Sequence, residues 1–175
     1  MDYPKTIYLI GMMGSWKTTV GKLLSKRLKR PFFDTDRELT ELTGMNTSKI
    51  FNTHGEDYFR DEEAHLLKRL SAHPGRVIST GGGIVLKESN RLLMKSTGIP
   101  ILLYAHPKIL IQRMKNLKNR PLLASMEFPE NALTEIWLER KEMYYSAAQL
   151  EINTENLTPT QVCSQIIELL ELHND

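Results

Sequence analysis

The apolar run Thr6-Ile-Tyr-Leu-Ile10 leads straight into GMMGSWKTT, residues 11 to 19, and no other stretch limits the fold as strongly. Apolar residues then recur at helical spacing, with Val20, Leu23, Leu24 and Leu28 on one face, which predicts a helix over 18–28. A strand, a tight glycine-containing turn and a helix N-terminus in that order make an anion site. Several backbone N–H groups converge there, and the helix dipole favours negative charge. The phosphate-loop pattern is Gly, four residues, Gly, Lys, then Ser or Thr. Gly11, Lys17 and Thr18 satisfy it, but Trp16 stands where the second glycine belongs.

The same alternation continues along the chain. Pro31–Phe33, Arg76–Ser79, Ile99–Tyr104 and Leu150–Ile152 read as further strands. They are continuous rather than alternating, as for strands covered on both faces. Helices are predicted over Asp57–Leu70, Ser89–Lys95, Pro107–Lys115 and Ala132–Ala147, and after Thr158-Pro159-Thr160-Gln161, which offers an N-cap, a proline at the first helical position and a capping glutamine. Alternating strands and helices predict a three-layer α/β/α domain around a parallel sheet, a single domain over 1–175. Ligands in such sheets sit beyond the carboxyl ends of the strands. The unusual residues fall there: Gly11 after the first strand, Asp34 and Asp36 after the second, Gly81 to Gly83 after the third.

Composition narrows the class. With 41% hydrophobic and 25% charged residues the chain suits a globular domain, and its net charge of +2 gives no reason to expect a nucleic-acid partner. The basic stretch Lys22–Arg30 reads as the solvated face of a helix. No apolar run is long enough to span a bilayer, no signal-peptide layout begins the chain, and the single Cys163 can form no internal disulfide, so a cytoplasmic location with no membrane partner is expected. The five histidines lack zinc-ligand spacing.

Lys17 is placed to meet β- and γ-phosphates and Thr18 to hold Mg²⁺. Asp34 and Asp36, one residue apart on extended chain, would point to opposite sides, one to the metal shell and one to an acceptor hydroxyl; a turn former followed by a helix cap is the plainer alternative. Glu56 and Arg60 share a helical face and alone read as a surface ion pair. Gly81-Gly82-Gly83 is either a plain turn or a place where backbone meets a small ligand closely. Arg113 and Arg120 lie in or beside a proline-broken stretch long enough to act as a lid, where an arginine can close over a phosphoryl group. Arg140 alone reads as an exposed cation on the next helix.

Together, GMMGSWKTT, DTD at 34–36, Phe51 with GEDYFRDEE, STGGG ending at Gly83, RPLL from Arg120, and Arg140 ahead of Tyr144 resemble the shikimate kinase family over essentially the whole chain. The resemblance implies a five-stranded parallel sheet in the order 2-3-1-4-5, a substrate-binding helical region at about 35–62 and a mobile lid at about 116–130. It implies transfer of the γ-phosphoryl group of ATP to the 3-hydroxyl of shikimate, with Mg²⁺, by a monomer whose partners are these small molecules. Asp36, Arg60, Gly82 and Arg140 would then bind shikimate, with Gly81 and Gly83 shaping the loop. Gly14, Ser15, Trp16, Lys17, Thr18, Thr19, Arg113, Arg120 and Thr154 would bind the nucleotide, with Arg113 packing against adenine and Asn153 and Thr154 bordering the base. Thr18 and Asp34 would serve the metal, and Lys17, Asp36 and Arg120 would be catalytic. A kinase of another small hydroxy acid such as gluconate, and a non-catalytic binding protein on the same scaffold, are the competing readings. The second draws on Trp16, whose ring is expected to weaken ATP binding and whose backbone, if left-handed, carries about 1–2 kcal/mol of strain.

Overall fold

The computed structural model describes residues 4–114 and 129–172. Five strands, β1 (Thr6–Ile10), β2 (Phe32–Asp34), β3 (Val77–Ser79), β4 (Gly98–Tyr104) and β5 (Leu150–Asn153), form one all-parallel sheet in the order β2-β3-β1-β4-β5. The predicted strand order is the observed one. β1 lies between β3 and β4, in register Ile7 to Val77 and Ile7 to Ile99, so the loop that follows it opens at the middle of the sheet.

The period-two geometry of β1 divides the core. Tyr8 and Ile10 face a cluster with Leu39, Phe59, Leu67, Ile84 and Tyr144, whereas Ile7 and Leu9 face Val20, Leu24, Val162 and Ile166. On the first face pack α2 (Thr35–Thr43), α3 (Thr47–His54), α4 (Glu56–Ser71), α5 (Glu88–Thr97), α6 (Pro107–Arg113) and α7 (Pro129–Ala147), with a 3₁₀ turn at Ile84–Leu86; α1 (Lys17–Leu28) and α8 (Pro159–Leu172) cover the second. The buried Tyr8 hydroxyl is satisfied by Ser71 Oγ at 2.8 Å and Thr97 Oγ1 at 2.7 Å, so this phenol adds area to the core without an orphaned polar atom.

Several boundaries move for physical reasons. The second strand runs to Asp34 rather than ending at Phe33, and the chain turns into α2 there because the Asp34 carboxylate accepts from Arg37 N at 3.3 Å. Asp36 therefore sits in the first turn of a helix, not on extended chain as expected. β5 alternates buried and exposed residues and β2 is only half-buried, because both are edge strands; β1, β3 and β4 are the continuous buried ones. α8 begins as predicted: Gln161 N donates to Thr158 Oγ1 at 3.3 Å and Thr158 N donates to Gln161 Oε1 at 2.8 Å. Lys22, Lys26 and Arg27 are the exposed face of α1. No helix among the described residues is long and apolar enough to cross a membrane.

Candidate active site

The loop after β1 is seated by two glycines that nothing larger could replace. Gly11 has φ 140° and its missing Cβ would lie 2.2 Å from Leu103 O. Gly14 has φ 80°, and there a Cβ would lie 2.6 Å from Leu110 O. Ser15 is buried, and Lys17 folds back along the loop, its Nζ donating to Gly11 O and Met12 O at 2.8 Å each. The lysine charge is thus held where the loop curves, next to the N-terminus of α1.

Trp16 is the N-cap of α1, with φ 69° and ψ 15° and no side-chain cap bond. It keeps the left-handed conformation that a glycine would adopt freely, at a cost of about 1–2 kcal/mol. The indole does not swing into solvent. It is half-buried and stacks on Arg113, whose guanidinium carbon is 3.5 Å from the ring centroid. Such a contact recovers roughly 0.5–2 kcal/mol, which offsets much of the strain.

Beyond the loop, Thr18 Oγ1 donates to Asp34 Oδ2 at 2.6 Å and lies 3.4 Å from Ser79 Oγ. Asp34 thereby both caps α2 and faces α1, while Asp36, two residues on, faces the glycine loop. One cleft of about 290 Å³ is lined by Trp16, Lys17, Thr18, Asp34, Asp36 and Arg113, with Gly14, Thr19 and Gly82 also on its wall. Thr154 is buried and reaches the site through Arg113, accepting at Oγ1 (2.8 Å) and at its carbonyl (2.6 Å).

Behind the acceptor end of this cleft is a buried charge cluster. Arg60 is 8% exposed, so it is not half of a surface pair. Its guanidinium donates to Glu56 at 3.1 Å and to Glu63 at 2.7 Å, and lies over the rings of Phe51 and Phe59. Arg140 is 6% exposed rather than solvated, and it lines a second cavity of about 340 Å³ with Glu56, which shares no lining residue with the cleft. Arg140 Nε and Glu63 Oε1 are buried without a hydrogen-bond partner among the described residues. Burial pushes the Glu63 carboxyl up to about 7, against the pull of Arg60. Tyr144, fully buried, donates to Gly82 O, and burial drives its phenol well above the usual range. Arg120 and nearly all of the predicted lid lie outside the described residues; Pro129 and Glu130 already belong to α7.

Each of the three glycines has its own reason. A Cβ on Gly83 would sit 2.2 Å from the Arg60 guanidinium; on Gly81, 2.5 Å from Glu63 Oε1 and 2.7 Å from Asp36 Oδ1; on Gly82, no closer than 3.6 Å to any protein atom. Gly81 and Gly83 make room for the site's own charges, and Gly82 leaves room in the cleft.

Sequence reasoning passed over Glu63. Its signal was present: Phe59, Leu66, Leu67 and Leu70 form the buried stripe of α4, and Glu63 is the one acid on that stripe. A carboxylate on an apolar face next to an arginine one turn away is a buried pair, not a solvated one.

A phosphate loop and an oxygen-rich pair at Thr18 and Asp34 on one cleft, with a buried arginine–carboxylate cluster behind the glycine loop, suit phosphoryl transfer to a small hydroxylated acid. The known proteins agree. A sequence profile of the shikimate kinase family matches residues 13–171. The shikimate kinase of Pelotomaculum thermopropionicum is 42% identical over 97% of this chain and 98% of its own, and that of Thermodesulfovibrio yellowstonii 41% identical over 95% of each. Among solved structures, shikimate kinase from Acinetobacter baumannii in complex with shikimate superposes with a TM-score of 0.93 at 36% identity, over 98% of this chain and 95% of that one. This chain belongs to the shikimate kinase family.

Proposed function

We propose that this ATP-dependent kinase moves the γ-phosphoryl group of ATP to the 3-hydroxyl of shikimate within the cleft between Lys17 and Asp36. The observation that carries the assignment is the phosphate loop and Asp36 on one cleft, with Arg60 and Glu63 of α4 and Arg140 of α7 buried behind it. Shikimate has one carboxylate and three hydroxyls. Arg140 Nε, a buried donor without a partner among the described residues, suits the carboxylate, since an unmet buried donor costs about 1–3 kcal/mol until a ligand satisfies it. Arg60, already oriented by Glu56 and Glu63, supplies the second cation.

Asp36 orients the 3-hydroxyl and accepts its proton as the oxygen attacks the γ-phosphorus. The bond from that phosphorus to the β,γ-bridging oxygen breaks, and ADP leaves with the electron pair. Lys17 holds the β- and γ-phosphates, and Arg120 supplies a second positive charge to the transferring group. Little covalent work falls to the protein in such a step, so positioning and charge neutralisation dominate. Thr18 Oγ1 and Asp34 Oδ2, 2.6 Å apart, are hard oxygen donors that fit Mg²⁺. Bound there with phosphate oxygens, the ion would neutralise charge on the triphosphate.

An ADP-release assay with and without shikimate tests this reading, with gluconate as the competing acceptor. Shikimate-dependent ADP release is expected. ADP release that gluconate supports better than shikimate would move the chain to the other acceptor class, and none with either acceptor would leave a binding protein.

A further inference from the structure

The cleft has three parts. Lys17, Thr18 and Asp34 form its phosphate part, Asp36 and Gly82 its acceptor part, and Trp16, Arg113 and Met114 the remaining end. By the family resemblance, a nucleoside triphosphate held by its phosphates on the loop packs its base against Arg113, which lines this cleft. Arg113 is built as a fixed plate there. Its two terminal nitrogens are tied edge-on to Thr154, at 2.8 and 2.6 Å, and Thr154 Oγ1 is anchored in turn to Tyr104 O at 3.0 Å. An edge-bound guanidinium offers its faces for stacking on flat aromatic rings. One face is taken by the Trp16 indole, with the guanidinium carbon 3.5 Å from the ring centroid. An indole is a fused six- and five-membered aromatic ring, the shape of a purine.

We propose that Trp16 competes with the nucleobase: its indole occupies the stacking face of Arg113 and must leave it when the base of ATP binds. The proposal rests on the kinase reading above. It differs from simple damage to the phosphate loop, because a competing ring weakens binding only of ligands that carry a base. A guanidinium–indole contact of this kind corresponds to roughly two- to thirtyfold in affinity.

The test is calorimetric titration of the full chain, as Trp16→Ala and Trp16→Gly and unaltered, with Mg-ATP and with Mg-tripolyphosphate. Alanine removes the ring but keeps a β-carbon at the left-handed position, whereas glycine removes both. Both variants are expected to gain roughly tenfold in ATP affinity, with tripolyphosphate unchanged within about twofold. The chain has two tryptophans, so Trp137→Phe isolates the Trp16 emission, which ATP should shift and tripolyphosphate should not. An equal gain for both ligands would assign the effect to loop shape and overturn the proposal, as would unchanged or weakened ATP binding. ATP failing to bind any of the three proteins would overturn the kinase reading itself.

Discussion

Replacing Gly83 with alanine isolates the cage from the rest of the fold. The backbone at Gly83 has φ −96° and ψ 3°, a conformation open to any residue. Glycine is needed there for space alone, since the added Cβ would lie 2.2–2.3 Å from three guanidinium atoms of Arg60. Those atoms end a flexible side chain, so the arginine shifts and the backbone does not. Its 2.7 Å bond to Glu63 and 3.1 Å bond to Glu56 are then misaligned, and with them its aim at the substrate carboxylate. A charged hydrogen bond contributes about 1.5–3 kcal/mol. Losing about 2 kcal/mol of carboxylate contact weakens shikimate roughly thirtyfold. Titration calorimetry should show that loss for shikimate, ATP within about twofold of the unaltered chain, and a melting temperature within a few degrees. Gly82→Ala is the control: its Cβ meets no protein atom closer than 3.6 Å, so stability should hold. If Gly83→Ala folds and binds shikimate as before, the Arg60 guanidinium does not hold the carboxylate in the way described.

Two further outcomes follow from the same geometry, and one, on Arg120, from the family resemblance. Asp36→Asn should lower kcat by about a hundredfold or more while shikimate affinity changes less than tenfold; equal falls in both would make Asp36 a binding group only. Arg120→Ala should lower kcat far more than it alters shikimate affinity, and a raised KM with kcat intact would refute a role in transfer. Glu63 titrates at about 7 in the fold against 4.5 as a free carboxyl, so the folded chain binds the extra proton between those values. Its contribution to stability is therefore full below pH 4.5 and is lost as pH rises through 7, by about 3 kcal/mol at most. In urea unfolding from pH 5 to 8, Glu63→Gln should flatten that decline, and an unchanged slope would place the titration elsewhere.

The strands, the loop after β1 and the placement of Asp34 and Gly81 to Gly83 were legible because each follows from a local pattern of apolar runs and glycine turns, whereas the strand order came from the family resemblance. Asp36 was legible as a site residue but not as a helical one, since the turn at Thr35 depends on the Asp34 carboxylate meeting Arg37 N. Arg60 and Arg140 alone read as surface cations, because burial is a property of what packs over them. Phe51 on α3 and Gly83 after β3 come to Arg60 from outside α4, and nothing in the spacing of α4 announces them. Glu63 differs: its place on the apolar stripe of α4 made its burial legible, although it passed as one more acid in a charged helix. Trp16 was legible as an anomaly; its partner, Arg113, is 97 positions away in the numbering and meets it only through the sheet order.

The central claim is that the phosphate loop and the buried cage serve one reaction. Phosphorus NMR of the chain with ATP, Mg²⁺ and shikimate tests it directly. The account predicts ADP and a single new phosphomonoester whose phosphorus couples to the proton on carbon 3, in equal amounts, and no ATP loss on that timescale without shikimate. Conversion of ATP to ADP and inorganic phosphate at the same rate with or without shikimate, or a phosphoester at another carbon, would contradict it.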